Sequence, residues 1–256
     1  MHTESSFELR KNNVKLIQSI VLLSLAMFAA AVHADENDVK AELAKKYPEV
    51  KAERITKTNY GNLYEVFAGG EIIYTDEKVT FLLLGTLVDA QTKTNVSEAR
   101  LQKLNTINFN ELPFENAIKL VRGNGSRRMA IFADPNCGYC KRFEQDVNTT
   151  DNITAYIFTY PILAQDSIDK SKSIWCSTDR LKAWQDHMLR AKAPTAKGTC
   201  DTPIDKVLAL GRKLNITGTP TTFFEDGERI SGALPKDRIE AKLMTAKAPV
   251  AIGTKR

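Results

Sequence analysis

Between Met129 and Val147 the chain carries a short apolar run, Met129–Ala133, a break at Asp134-Pro135-Asn136, and then Cys137-Gly138-Tyr139-Cys140 leading into Lys141-Arg142-Phe143-Glu144-Gln145-Asp146-Val147. An apolar run of this length bounded by turn residues predicts a buried strand, and the segment after it predicts a helix whose first turn carries both cysteines. Open α/β sheets place their sites at such strand ends. The placement also favours a thiolate, the nucleophilic form of cysteine, because a helix N-terminus offers unpaired N–H groups and the positive end of the helix dipole. Cys137 is therefore the expected nucleophile. Cys140, three residues on, shares its face and lies close enough to close a disulfide with it or to resolve a mixed disulfide formed there.

Two other uses of a Cys-x-x-Cys pair are open at this point: half of a zinc site, or a small inert bridge. Zinc would need a second compact ligand pair, and Cys176, Cys200 and His187 stand at spacings that match no usual zinc pattern. An inert bridge leaves the strand–turn–helix setting without a purpose. No metal and no cofactor is expected.

About eighty residues later comes Thr217-Gly218-Thr219-Pro220-Thr221-Thr222-Phe223-Phe224. Together with Phe132-Ala133-Asp134-Pro135-Asn136-Cys137-Gly138-Tyr139-Cys140 it resembles the thioredoxin-fold disulfide isomerases of the bacterial periplasm, the DsbC type, and the resemblance covers nearly the whole chain after residue 34. It implies a cis proline at Pro220 beside the cysteines, with the Thr219 backbone exposed to an extended substrate segment, and Gly138 and Tyr139 on the substrate-binding side. The residues depart from thioredoxin itself. The carboxylate that thioredoxin carries six residues before its first cysteine is Ile131 here, and the dipeptide between the cysteines is Gly-Tyr. The proton acceptor for Cys140 is thus unassigned, and Asp134 reads equally as that acceptor or as a turn residue.

The first thirty-four residues stand apart. Arg10, Lys11 and Lys15 precede the apolar run Leu16–Ala30, and Val32-His33-Ala34 supplies small residues before Asp35, the pattern of a secretory signal peptide. A run of about fifteen apolar residues falls short of the ~20 that span a bilayer. Export would bring four cysteines to a compartment where disulfides persist, and there Cys176 and Cys200 are expected to form a structural bridge. It would close a loop of about 25 residues, worth roughly 3.5 kcal/mol in the chain-entropy picture. This second pair fits the DsbC type better than its DsbG-like relatives. His187 reads as a surface or packing histidine.

Residues 35–94 read as a small α+β unit, a short helix through Val39, Leu43 and Tyr47 followed by four strands, Ala52–Thr58, Leu63–Phe67, Glu71–Tyr74 and Lys78–Val88. A module of about sixty residues buries only about 60% of its unfolded surface and is a poor candidate for standing alone; the resemblance makes it a homodimerisation domain. Residues 95–112 predict a linker helix, opened by the capping-box-like Asn95-Val96-Ser97-Glu98. Residues 113–256 predict a thioredoxin-like catalytic domain in which Asp166–Lys192 forms a helical insertion broken near Ser177-Thr178, and Asp226-Gly227 turns a hairpin. The fold class is thus α+β with an α/β catalytic part.

A formal charge of +5 is spread through mixed-sign segments, without a basic stripe interleaved with aromatics, so nucleic acid is not the expected partner. The resemblance implies a periplasmic disulfide isomerase or reductase working on unfolded or misoxidised proteins, kept reduced by a membrane thiol reductase of the DsbD kind, and able to act as a chaperone. The rival readings are a thiol oxidase or a DsbG-like reductase of sulfenylated cysteines, and a dimeric holdase in which the cysteines are incidental.

Overall fold

The computed structural model describes residues 36–246, so the expected signal peptide at 1–34 lies outside the described residues. Helix α1 (Glu36–Lys46) opens with Glu36 and Asp38 and closes with Lys45 and Lys46, charges that complement its dipole. Its buried Val39 and Leu43 lie on an antiparallel meander of β1 (Ala52–Lys57), β2 (Tyr64–Ala68) and β3 (Glu71–Thr75), with β2 central. The two-residue link Gly69-Gly70 has φ of +60° and +84°, the doubly positive backbone that suits a tight hairpin and that glycine adopts without strain.

The fourth strand expected at Lys78–Val88 does not form. Asp76 caps a turn through Thr80, and Val79, at φ +50°, drops into the core of this unit. The chain beyond Thr80 meets β3 through one pair of backbone hydrogen bonds, between Tyr74 and Leu83. A strand needs a ladder of partners, and β3 supplies a single pairing here, with one more bridge between Val88 and Asn95; Phe81, Leu83, Leu84 and Val88 are left exposed, Leu84 at 72%.

Helix α2 (Val96–Leu104) is capped as expected, the Glu98 N–H donating to Asn95 Oδ1 at 3.0 Å and Asn95 Nδ2 donating to Glu98 Oε2 at 3.1 Å. It buries no side chain and is held by polar contacts instead. Arg100 grips the buried Glu65 of β2 with Nη2 at 2.8 Å and Nε at 3.1 Å, and Ser97 Oγ meets Tyr74 OH at 2.7 Å.

The second unit is a five-stranded sheet in the order β4 (Ile118–Arg122), β6 (Ile153–Thr159), β5 (Arg127–Ala133), β7 (Thr221–Phe224), β8 (Arg229–Ser231). β5 and β6 are parallel, joined by the crossover helix α3 (Gly138–Asn148); the other pairings are antiparallel. β5 explains its own sequence. Met129, Ile131 and Ala133 enter the core shared with α3, while Ala130 and Phe132 enter the core on the other face with Phe158, Tyr160 and Phe223. A strand covered on both faces reads as a continuous apolar run, since alternate side chains point to opposite faces.

The helical insertion consists of α4 (Gln165–Trp175) and α5 (Arg180–Arg190), and the expected break falls at 176–179. α6 (Ile204–Lys213) covers the second face, with Gly211 so close to Tyr160 that an added Cβ would lie 2.2 Å from the ring. α7 (Lys236–Thr245) packs Ile239 and Leu243 into the α3 core.

Candidate active site

Beyond Ala133 the chain must leave a covered sheet and start a helix within four residues, and the buried Asp134 organises that turn. Its Oδ1 accepts the Asn136 N–H at 2.7 Å and the Ser167 hydroxyl at 2.7 Å; its Oδ2 accepts the Ile162 and Leu163 N–H groups at 2.8 and 3.0 Å. Four donors saturate this carboxylate, which decides between the two readings of Asp134: it is the turn residue and has no lone pair to spare for a thiol proton. The rest of the turn is held from the insertion. Lys170 Nζ donates to Asn136 Oδ1 at 2.8 Å, Asn136 Nδ2 donates to Ser167 Oγ and Asp166 Oδ2 at 3.0 Å each, and His187 Nε2 donates to the Pro135 carbonyl at 2.8 Å. His187 is accordingly a buried packing residue.

Cys137 sits at the N-cap of α3, with φ −73° and ψ 117°, and its Sγ accepts the Cys140 N–H at 3.1 Å. The helix thus begins at Gly138, so that Cys137 caps the first turn and Cys140 lies within it. That geometry aims an orphan donor and the positive end of the helix dipole at the sulfur. On its other side the Cys137 thiol donates to the Thr219 carbonyl at 3.3 Å, across the Thr219–Pro220 bond, which is cis. Both cysteines are reduced. Cys140 is the more deeply covered, 2% exposed against 6% for Cys137, and burial, with the neighbouring Cys137 adding to it, pushes its thiol well above the ordinary range. The pair is therefore asymmetric: one sulfur at the surface end with an N–H pointed at it, the other sealed beneath.

Gly138 is exposed, with open space where a Cβ would stand, and Tyr139 is 71% exposed. Tyr139, Arg142, Thr219 and the Gly232–Pro235 loop line a cavity of about 340 Å³ beside the thiols. Six of the sequence-predicted residues thus converge here: Cys137, Gly138, Tyr139, Cys140, Thr219 and Pro220. Cys176 and Cys200 do not. They form a disulfide between the end of α4 and the loop before α6, closing the insertion instead of taking part in the site. The sequence reading missed Glu144, buried on the apolar face of α3 with its Oε2 accepting the Trp184 indole N–H at 3.0 Å. Burial raises its carboxyl to about 7. The signal was present: an acid between Phe143 and Val147, four residues after Cys140, falls on the face that α3 buries.

Residues 114–247 match the thioredoxin-like domain, and residues 30–98 match the disulfide bond isomerase protein N-terminal domain. The probable thiol:disulfide interchange protein DsbC of Bordetella pertussis is 47% identical over 216 residues, covering 84% of this chain and 76% of that protein. The thiol:disulfide interchange protein DsbC of Escherichia coli is 26% identical over 215 residues, covering 82% and 88%. Among solved structures, a disulfide interchange protein from Neisseria gonorrhoeae is 37% identical and superposes with a TM-score of 0.52, covering 54% of this chain and 99% of that one. A reduced, asymmetric thiol pair delivered by a thioredoxin-type sheet is the apparatus of a thiol–disulfide oxidoreductase. With the N-terminal domain that precedes it here, the chain belongs to the DsbC family of disulfide isomerases.

Proposed function

We propose that the isomerase chemistry runs through Cys137 as nucleophile and Cys140 as resolving thiol. One observation carries the assignment: Cys137 Sγ receives the N–H of Cys140 at the helix N-terminus, while Cys140 itself is shut away. Cys137 thiolate attacks a non-native disulfide, and the displaced substrate sulfur leaves as a thiolate. A second substrate thiol then attacks the mixed disulfide and re-pairs the substrate, returning Cys137 as thiolate. Alternatively Cys140 attacks Cys137 Sγ, and the substrate leaves reduced. The second outcome stores a Cys137–Cys140 disulfide, which a membrane reductase of the DsbD kind would reduce. Gly138, Tyr139, Thr219 and Pro220 border the substrate. Cys176–Cys200 serves structure.

The remaining context rests on the same reading. The leader-like first thirty-four residues support export to the periplasm, and no described helix is long and apolar enough to cross a membrane. The exposed Phe81, Leu83, Leu84 and Val88, on a stretch held within its own chain by two isolated backbone pairings, Tyr74–Leu83 and Val88–Asn95, fit pairing with a second copy. Domain limits at about 94 and 112 place the linker helix between the dimer unit and the catalytic domain. Exposed Tyr139, Ile162 and Leu163 around the thiols would let the site hold unfolded chains.

The test is recovery of activity by a scrambled, fully oxidised multi-disulfide substrate given pre-reduced protein, with Cys137→Ala alongside. Recovery with the parent chain and none with the variant is expected. If neither restores activity while the oxidised protein rapidly oxidises reduced substrate, the site is an oxidant and the isomerase assignment of these residues fails.

A further inference from the structure

We propose that Glu144 is the proton acceptor for Cys140, taking the thiol proton when Cys140 attacks the mixed disulfide. The inference rests on Cys140 being the resolving thiol. A thiol must lose its proton to become a nucleophile, and Cys140 is cut off from water at 2% exposure. Asp134, the nearest carboxylate in sequence, is saturated by four donors. Glu144 is not. Its Oε2 is fixed by the Trp184 indole at 3.0 Å, whereas its Oε1 is buried with no hydrogen-bond partner among the described residues.

Position completes the case. Residues four apart on a helix are neighbours, with Cβ atoms about 5–6 Å apart, and helical side chains lean toward the N-terminus, so Glu144 leans back over the turn that carries Cys140. Both side chains lie in the same closed core. No hydrogen bond joins them in the resting pair, so the transfer requires a bridging water or a side-chain rotation. An orphaned carboxylate oxygen in a dry core is costly, and among the described residues no cation reaches it to offset that cost. The raised carboxyl, near 7, suits an acceptor working close to neutral pH.

The step balances. The Cys140 S–H proton passes to Glu144 Oε1; Cys140 sulfur forms a bond to Cys137 Sγ; the bond between Cys137 and the substrate sulfur breaks, and its electron pair leaves on the substrate as a thiolate. Cys140 and Cys137 are oxidised together as the substrate is reduced, and Glu144 holds the proton until reduction of the pair returns it.

Groups that face this core are few. On α3 they are Cys140 and Cys137, Lys141, Arg142 and Asp146 being at least partly exposed. α5 contributes Trp184 and, one turn on, His187, whose ring burial keeps below its usual value. α7 contributes Ile239 and Leu243, while its Glu240 and Lys242 are engaged by Arg127 and by Asp226 with Glu228.

The test starts from a mixed disulfide between Cys137 and glutathione, formed on the whole protein, and measures glutathione release by acid quench and mass spectrometry from pH 6 to 8.5. In the parent chain release should climb through a midpoint near 7. Glu144→Gln should lose that midpoint and release at least about a hundredfold more slowly at pH 8, the lower end of what a positioned proton acceptor contributes. Its rate of forming the mixed disulfide should change less than twofold. Glu144→Asp, which keeps the acid one methylene shorter, should recover part of the rate and the titration. Release by Glu144→Gln with the parent's rate and midpoint overturns the inference, as does an equal fall in formation and release. Cys140→Ala should release nothing. If it releases at the parent rate, Cys140 is not the resolving thiol and the proposed function fails with the inference.

Discussion

Glu144→Gln is expected to make the chain more stable at alkaline pH and to leave it about equally stable in mild acid. In the folded protein this carboxyl titrates at about 7, against 4.5 for a free side chain, because it is buried with only an indole N–H to support its charge. Below 4.5 both folded and unfolded states carry the proton, and the stability associated with it is fully present. Between 4.5 and about 7 the unfolded state has released a proton that the folded state still binds, so stability falls by up to 1.36 kcal/mol for each pH unit. Above 7 both states are ionised and the loss levels off near 3 kcal/mol. Between pH 5 and pH 8 the parent should therefore lose about 2–3 kcal/mol through this one group. The amide has the same shape, keeps an oxygen for Trp184, and does not titrate. The assay is urea unfolding at the two pH values, monitored by tryptophan fluorescence, in a Cys137→Ser, Cys140→Ser background so that neither thiol contributes. The difference in stability between parent and variant should grow by about 2–3 kcal/mol from pH 5 to pH 8. A difference that stays constant within about 0.5 kcal/mol would refute a buried acid at this position.

Asp134→Ala strands four donors that now share one carboxylate, two of them from the stretch before α4, and should cost about 3–5 kcal/mol while abolishing glutathione exchange at Cys137; a stable, fully active variant would show that the turn holds without it. Gly211→Ala puts a Cβ 2.2 Å from the Tyr160 ring, whose hydroxyl donates to the Ile216 carbonyl, and should lower stability in urea by about 1–3 kcal/mol without changing the reactivity of Cys137. Leu84→Asp places a charge on a side chain 72% exposed within one copy; sedimentation should report a dimer for the parent and a single chain for the variant, and a parent that already runs as one chain removes the pairing proposal.

Much of the catalytic unit was legible because its signals are local. β5 is apolar at every position from Met129 to Ala133 since both faces are covered, and Asp134-Pro135-Asn136 stops it wherever the rest of the chain lies. Asp226-Gly227 and the break between α4 and α5 are equally self-contained. What the sequence left open depends on contacts between distant segments. Asp134 could not be settled until Ser167 and the N–H groups of Ile162 and Leu163 were seen to converge on it. Glu144 shows its environment only once Trp184, forty residues on, is packed over it. The stretch Lys78–Val88 has strand composition but only isolated pairings, Leu83 with Tyr74 and Val88 with Asn95, among the described residues, and composition does not say whether the missing ladder belongs to another copy.

The clasp around Pro135 and Asn136 bears on how such sites can be transplanted. Ser167, Lys170 and His187 all come from the insertion, so the backbone that presents Cys137 is anchored to two helices that a minimal thioredoxin sheet would not carry. Moving Cys-Gly-Tyr-Cys alone into another host would carry over the sulfurs and their dipeptide but leave behind the fixture that sets their angle of approach. A working graft would have to span from β5 to the loop before α6, so that both halves of the Cys176–Cys200 staple are included.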